Sequence, residues 1–204
     1  MPEENENIQE MSCALNLENL LAQECGNNQS GVKRVFMAPK THLTTDNFGR
    51  ESAPDDFAEF VTLTAPESGM ALTPESGRGF MELYSARDLG ELKYASQGSV
   101  MGNRSLKATL EIVHPSFKRK ALGFFGSLLN REWIIIVLLN NGEYHMLGDL
   151  DRGAIVADGA EGTSGKAATD QNGLTLTFEW DTAYPQIVAD GWKPQQVSGG
   201  LPLI

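Results

Sequence analysis

The sequence contains few of the residues that build disulfide frameworks and metal centres. Its 204 residues include two cysteines, Cys13 and Cys25, and three histidines, His42, His114 and His145. The cysteines form no Cys-x-x-Cys pair, and no histidine has metal-ligand spacing to a second histidine or to a cysteine. We interpret the cysteines as small buried or half-buried thiols, paired only in an oxidising compartment, and the histidines as structural residues. We therefore expect neither a metal site nor a cofactor.

Long apolar runs and a surplus of basic residues are also missing. The longest nearly uninterrupted apolar run covers residues 133–139, far short of the ~20 residues that a membrane helix requires. The first residues are acidic and lack the basic and apolar regions of a signal peptide, so we expect a protein made in a cytosol and not inserted into a membrane. The formal net charge of −11 argues against a nucleic-acid reader that neutralises phosphates. It favours a surface that does not adhere to polyanions.

Motifs of catalytic sites are incomplete in this sequence. The segment Gly162–Lys166 resembles a phosphate-binding loop, but Ala160 stands where its first glycine belongs and Ala167 where a Mg²⁺-binding hydroxyl belongs. No G-x-S-x-G nucleophile elbow is present. Asp149 and Asp151 lack the spacing of an EF-hand loop. We therefore predict no catalytic residue, no cofactor-binding residue and no enzymatic activity.

Residues 131–180 carry the strongest structural signal. The apolar run Trp133–Leu139, rich in β-formers, is followed by Asn140-Asn141-Gly142 and by a second strand-like segment at 143–148, which predicts a β-hairpin. A further strand is predicted at Leu174–Trp180. Just before the hairpin, apolar residues recur every three or four positions, which predicts one helix at 116–130 with Pro115 at its entry. Its apolar face comprises Phe117, Ala121, Phe124, Phe125, Leu128 and Leu129.

The remaining pattern predicts a mainly β protein. Short strands are expected at 32–38, 57–64, 80–86, 92–96 and 106–113. Many short strands with one helix indicate a β-sandwich or barrel with one flanking α-helix. We divide the chain into an acidic N-terminal arm at 1–31, a β domain at 32–180 with a long excursion at about 65–105, and a proline-containing C-terminal arm at 181–204.

The N-terminal arm contains a short leucine-rich segment. Its apolar residues are Leu15, Leu17, Leu20 and Leu21. The pattern fits either a short helix ended by Gly26 or an arm that orders against a neighbour. A free helix of this length is unstable in water, so we predict that these leucines form a subunit interface.

Several of these segments together resemble the tail-tube proteins of bacteriophages, closest to those of Bacteroidetes phages and prophages. The resemblance rests on the helix at 116–130, the hairpin with its Asn-Gly turn, the glycine-rich loop at 159–166 and the final strand Gly173–Phe178, a G-x-T-x-T-F pattern. Residues 31–38 are similar to the first tube strand. The similarity covers roughly half of the chain. The excursion and the arms depart from a minimal tube protein, which leaves a related ring, adaptor or terminator subunit open.

The resemblance implies an architectural function in the virion, with assembly in the cytoplasm of a bacterial host. Such subunits form rings, typically hexamers, whose inner sheets join around a channel through which DNA passes during ejection. They contact further copies of themselves and other tail or neck proteins. An acidic channel repels the phosphate backbone, so DNA slides without binding. Our candidates for the channel wall are Glu132, Glu143, Asp149 and Asp151. Alternatives are a neck, ring or cargo protein of a short-tailed phage, a cellular β-sandwich binding module and, third, a hydrolase.

Two packing expectations follow from the same patterns. Phe124, Phe125, Leu128 and Leu129 should pack on the sheet that contains Trp133–Leu139. Because side chains alternate along a strand, one face of this strand should meet the core and the other a neighbouring subunit or a channel.

Overall fold

The computed structural model describes residues 29–50, 61–66, 71–100, 103–167, 169–170, 172–189 and 194. Within these ranges the chain is mainly β, a sandwich with a flanking α-helix, which confirms the predicted fold class. The interface leucines Leu15, Leu17, Leu20 and Leu21 lie outside the described residues. So do most of the C-terminal arm and the first part of the predicted strand at 57–64.

Three sheets are built from the described strands. These strands are β1 (Val32–Pro39), β2 (Leu43–Asp46), β3 (Gly49–Arg50), β4 (Thr62–Thr64), β5 (Leu72–Pro74), β6 (Met81–Leu83), β7 (Glu91–Gln97), β8 (Ser105–His114), β9 (Trp133–Leu139), β10 (Tyr144–Leu147), β11 (Ile155–Val156), β12 (Glu161–Thr163), β13 (Gly173–Thr182) and β14 (Ile187–Val188). The first sheet has the order β3-β4-β14-β10-β9-β1-β6, and the second has the order β11-β13-β8-β7 with β12 also on β13. A small third sheet pairs β2 with β5.

The predicted hairpin forms the centre of the first sheet. Strand β9 pairs antiparallel with β1 on one side and with β10 on the other. At the turn, the Leu139 N–H donates to the Glu143 carbonyl over 2.9 Å, and Gly142 takes a φ of 105°, a value that favours glycine. The prediction of a hairpin at the Asn-Gly sequence is confirmed.

Strands β8 and β13 form the backbone of the second sheet. They pair antiparallel in nine successive positions, from Leu174 opposite His114 to Thr182 opposite Leu106. The period-two pattern predicted for β8 is present, because Leu110 and Ile112 are fully buried while Glu111 between them is exposed. One face of this sheet therefore meets the core.

The first core lies between the two large sheets and the helix α1 (Arg119–Leu128). The first sheet contributes Val35, Met37, Ile135 and Val137 among others, the second contributes Leu110, Ile112, Leu176 and Phe178, and the helix contributes Ala121, Phe124 and Leu128. The predicted packing of the helix on the sheet of β9 is confirmed for Phe124 and Leu128. Phe125 is only half-buried against this core.

The ends of the helix differ from the prediction. The helix begins at Arg119 and not at residue 116, since the Ser116 N–H donates to the His114 carbonyl over 2.8 Å and Lys118 is still extended. At the other end, Leu129 is 46 % exposed, so the prediction that it packs on the sheet is wrong. The physical reason is local: Leu129 is extended and Asn130 adopts a left-handed φ of 60°, which turns the chain away from the helix axis.

A second core covers the opposite face of the first sheet. Its buried residues are Phe36, Ala38, Leu43, Leu63, Leu72, Phe80, Ile134, Ile136, Met146 and Val188. The cover comes from this chain, because Leu43 and Leu72 belong to the small β2–β5 sheet. The prediction that one face of Trp133–Leu139 meets a neighbour or a channel is therefore wrong. Both faces of β9 are buried within the subunit, as its continuous apolar sequence allows.

Candidate anion-binding cleft

A cleft of about 800 Å³ opens at the end of the first sheet where β1 ends and β9 begins. One wall is the short 3₁₀ helix Lys40–His42 together with the turn at 76–78, and the other is the end of α1 with residues 130–133. The residues that line the cleft are Pro39, Lys40, Thr41, His42, Ser76, Gly77, Arg78, Met81, Phe124, Ser127, Asn130, Arg131, Glu132 and Trp133. Most of them are polar or charged, unlike the residues of the two cores.

Backbone hydrogen bonds fix the first wall. The Glu75 N–H donates to the His42 carbonyl and the Arg78 N–H donates to the Glu75 carbonyl, each over 2.9 Å. The Arg78 guanidinium also lies 3.2 Å from the Glu75 carboxylate. These bonds hold the Arg78 side chain beside His42.

The second wall follows from the way in which the helix ends. Asparagine tolerates the left-handed conformation better than most residues, so Asn130 permits the sharp turn after α1. The turn places Arg131 and Glu132 at the rim of the cleft. The Lys40 ammonium donates to the Glu132 carboxylate over 2.6 Å and to the Asp151 carbonyl over 2.9 Å. Lys40 and Glu132 therefore largely neutralise each other.

The cleft retains positive charge and hydrogen-bonding capacity. Arg131 is exposed, and the described part of the chain offers it no hydrogen-bond or ion-pair partner. The Nδ1 atom of His42 is buried and, within the same part, lacks a hydrogen-bond partner. Burial lowers the pKa of His42, Arg78 and Arg131 lower it further, and Glu75 opposes them. The arrangement suits the binding of an anionic group, since guanidinium groups bind carboxylates and phosphates well.

Ser127 contributes a hydroxyl group to the lining of the cleft. This half-buried hydroxyl donates to the Phe124 carbonyl of its own helix over 2.7 Å. Among the described residues, no hydrogen bond joins the His42 imidazole to that hydroxyl.

The four predicted channel-wall carboxylates do not form one cluster. Glu132, Asp149 and Asp151 lie at the end of the hairpin beside the cleft, whereas Glu143 lies at the turn on the opposite end. Asp149 accepts the N–H groups of Asp151 and Arg152 over 2.9 and 2.6 Å, which closes the loop after β10. The assignment of these residues to a channel wall stays a prediction.

A second polar group is buried at the edge between the two large sheets. The Tyr94 hydroxyl lies 3.1 Å from Nδ1 of His145, and Nε2 of His145 lies 3.6 Å from the Glu143 carboxylate. Burial raises the pKa of the Tyr94 phenol far above its usual value, while the Gln186 backbone N–H opposes this shift. The phenol therefore stays protonated, and it shares a hydrogen bond with Nδ1 of the imidazole. Burial lowers the pKa of His145, against the opposing effect of Glu143.

The lowered pKa of His145 predicts that the protein loses stability in mild acid. The unfolded chain takes up a proton near pH 6.5, whereas the folded state resists it until a lower pH. The contribution of His145 to the free energy of unfolding should be fully present above pH 6.5. It should decrease as the pH falls towards the pKa of His145 in the folded state. Urea unfolding at several pH values measures the slope, which should be shallower in His145→Gln. His114→Gln, at the end of β8, is the matched histidine substitution for comparison. Equal slopes in all three proteins would contradict the prediction.

Comparison of the chain with protein-family models, with curated proteins and with solved structures gives no match. The strands and the helix themselves place the described residues in one fold class, a mainly β sandwich flanked by a helix. No helix among the described residues is long and apolar enough to cross a membrane. Over the same residues, histidine, cysteine and acidic side chains form no group of three or more that suits a metal ion.

Proposed function

We propose that this protein is a virion structural protein, a subunit of a phage tail tube or ring that forms a channel for DNA during ejection. The observation that carries the proposal is the edge of the second sheet. Strand β7 has seven residues and, in the described ranges, a strand neighbour on one side only, β8. Leu89 and Val100 flank it and are 52 % and 63 % exposed. An open edge with exposed aliphatic residues favours pairing with another chain.

Charge and packing agree with this function. Ring formation covers sheet edges that otherwise promote uncontrolled aggregation. The net charge of −11 repels the phosphate backbone, which allows DNA to pass without binding. The partners are further copies of the chain, expected as a hexameric ring, and other tail or neck proteins of the virion.

The cleft favours a second candidate function. A cellular β-sandwich module that binds an anionic ligand needs a preformed concave site with a few convergent polar groups. The His42–Arg78–Arg131 region has this character. Particle shape separates the candidates, because a binding module stays monomeric and a tube or ring subunit does not.

Negative-stain electron microscopy of the purified protein, with analytical ultracentrifugation, tests the proposed function. We expect rings or tubes from the wild type. Leu89→Lys/Val100→Lys should remain folded but monomeric, because charges beside an edge strand oppose pairing. The matched control Leu122→Lys/Leu129→Lys changes two exposed leucines of the helix region and should assemble normally. A wild type that stays monomeric at all concentrations overturns the proposal.

Reversing channel-wall charges should make assembled particles retain DNA. Glu143→Lys/Asp151→Lys is the suitable variant, since Asp149 is needed to close its loop and Glu132 pairs with Lys40. Retention should be strong at low salt and lost at higher salt, because lysines bind phosphates with release of counterions. DNA recovered with purified particles measures it, with Asp158→Lys/Glu161→Lys as the control of equal charge. If variant and wild-type particles retained equal amounts of DNA, Glu143 and Asp151 would not line the channel.

A further inference from the structure

We propose that the cleft binds the acidic N-terminal segment, residues 1–28, of a second copy of this chain. This inference rests on the proposed function, since it specifies how one subunit holds the next. The ligand of the cleft is then a peptide rich in carboxylates.

Charge complementarity is the first argument. Residues 1–28 contain six glutamates, Glu3, Glu4, Glu6, Glu10, Glu18 and Glu24, and neither lysine nor arginine. The cleft presents the opposite charge through Arg131, while Arg78 shares its charge with Glu75, and it adds an unsatisfied nitrogen at His42. Carboxylate groups match the planar guanidinium geometry. The chain as a whole has a net charge of −11. An acidic segment is therefore attracted to the cleft more than to the rest of the surface.

The described chain begins at the end of the first sheet opposite the cleft. This end lies beside the hairpin turn, where Asn140 donates its backbone N–H to the Gly31 carbonyl over 3.0 Å and its side-chain amide to the Ser30 carbonyl over 2.7 Å. The cleft lies at the other end of β1, where Pro39 pairs with Trp133. The eight residues of β1 separate the two ends by roughly 26 Å.

A segment that leaves one end of a subunit and binds the opposite end of the next forms a heterologous interface, which closes into a ring or continues as a filament. The length is sufficient, because the chain from Glu10 to Gln29 spans up to roughly 60 Å when extended. The same contact thus provides both the specificity and the polarity that the proposed function requires.

Cross-linking of the full-length chain tests which copy occupies the cleft. Ser76→Cys, at an exposed residue of the cleft lining, places a thiol there without changing the turn at Asn130, and a short bis-maleimide then reacts with the native Cys13 or Cys25 of a bound segment. Mixed isotope-labelled and unlabelled chains show by mass spectrometry whether position 76 is joined to a cysteine of another copy. We expect links between copies, and none to position 93 in Lys93→Cys, on the outer face of the second sheet. Links within one chain only, or no links to position 76, overturn the proposal.

Charge reversal tests the electrostatic basis. Arg78→Glu/Arg131→Glu should weaken association about tenfold, since each exposed pair contributes a fraction of a kcal/mol and reversal makes it repulsive. The control Arg87→Glu/Arg119→Glu has the same change in charge at exposed sites and should associate like the wild type. Adding Glu3→Lys/Glu4→Lys/Glu6→Lys/Glu10→Lys to the cleft variant should restore association. This rescue also shows that the cleft variant folds.

The outcomes separate this inference from the proposed function. Rings that form equally well in the wild type and in the cleft variant overturn the inference and leave the proposed function standing. A wild type that forms neither rings nor tubes overturns the proposed function, and the inference with it. Loss of assembly in the cleft variant without rescue by the reversed segment shows that the cleft contacts something other than residues 1–28, which overturns the inference.

Discussion

Replacing Ile136 with alanine is expected to lower the free energy of unfolding of the isolated subunit by about 2–5 kcal/mol. Ile136 is fully buried in the second core and lies opposite Phe36 and Met146 on the adjacent strands. The substitution removes apolar contacts and leaves a cavity between the first sheet and the β2–β5 sheet. Since these strands belong to the same chain, the loss should appear without assembly.

Urea unfolding at a concentration where the protein is monomeric measures this effect. The matched control is Ile155→Ala in β11, where the side chain is 51 % exposed and the cost should stay within about 1 kcal/mol. A small effect of Ile136→Ala in monomers together with a large effect in assembled particles would contradict the self-contained second core. It would restore the expectation that this face of β9 contacts a neighbour.

Local patterns predicted the elements whose conformation depends on neighbouring residues. The Asn-Gly turn determined the hairpin, and period-two alternation located β8 with Leu110 and Ile112 inside. In both cases the residues of one short stretch are enough to determine its local conformation. The predicted β-sandwich with a flanking helix follows from the number and spacing of such stretches.

The cover of the second face could not be predicted in the same way. The run Trp133–Leu139 is apolar on both faces, which a neighbouring subunit or the chain itself can equally satisfy. The chain's own cover includes Leu43, Leu72 and Phe80, from short strands and turns without a strong period. Their packing against β9 joins residues that are distant in sequence, and sequence periodicity does not predict such contacts.

The cleft was missed for a related reason. His42, Arg78 and Arg131 are far apart in sequence, and each is an ordinary loop residue when taken alone. One signal was present at Asn130, because asparagine after a helix often takes the left-handed conformation that ends it. The three-residue spacing instead extended the predicted helix to residue 130 and placed Leu129 in the core. Leu129 is exposed and the chain turns into the rim of the cleft.

Truncating Phe124 to alanine should lower the free energy of unfolding by about 3–5 kcal/mol. Its ring is 7 % exposed and packs edge-on against Trp133, with ring centroids 6.4 Å apart. Such aromatic pairs contribute about 0.5–1.5 kcal/mol beyond the area that they bury. The Trp133 indole N–H donates to the Leu128 carbonyl over 3.2 Å, so Phe124 supports the same junction between the helix and β9.

Phe125, the next residue of the same helix, is the matched control. Sequence periodicity alone placed it on the buried face, but it is half-buried at the margin of the first core. Phe125→Ala should therefore cost roughly 0.8–1.5 kcal/mol, about half the transfer free energy of a fully buried ring. Thermal and urea unfolding of both variants give the comparison. A larger loss for Phe125→Ala than for Phe124→Ala would mean that the helix presents a different face to the sheets, and the walls of the cleft would then change with it.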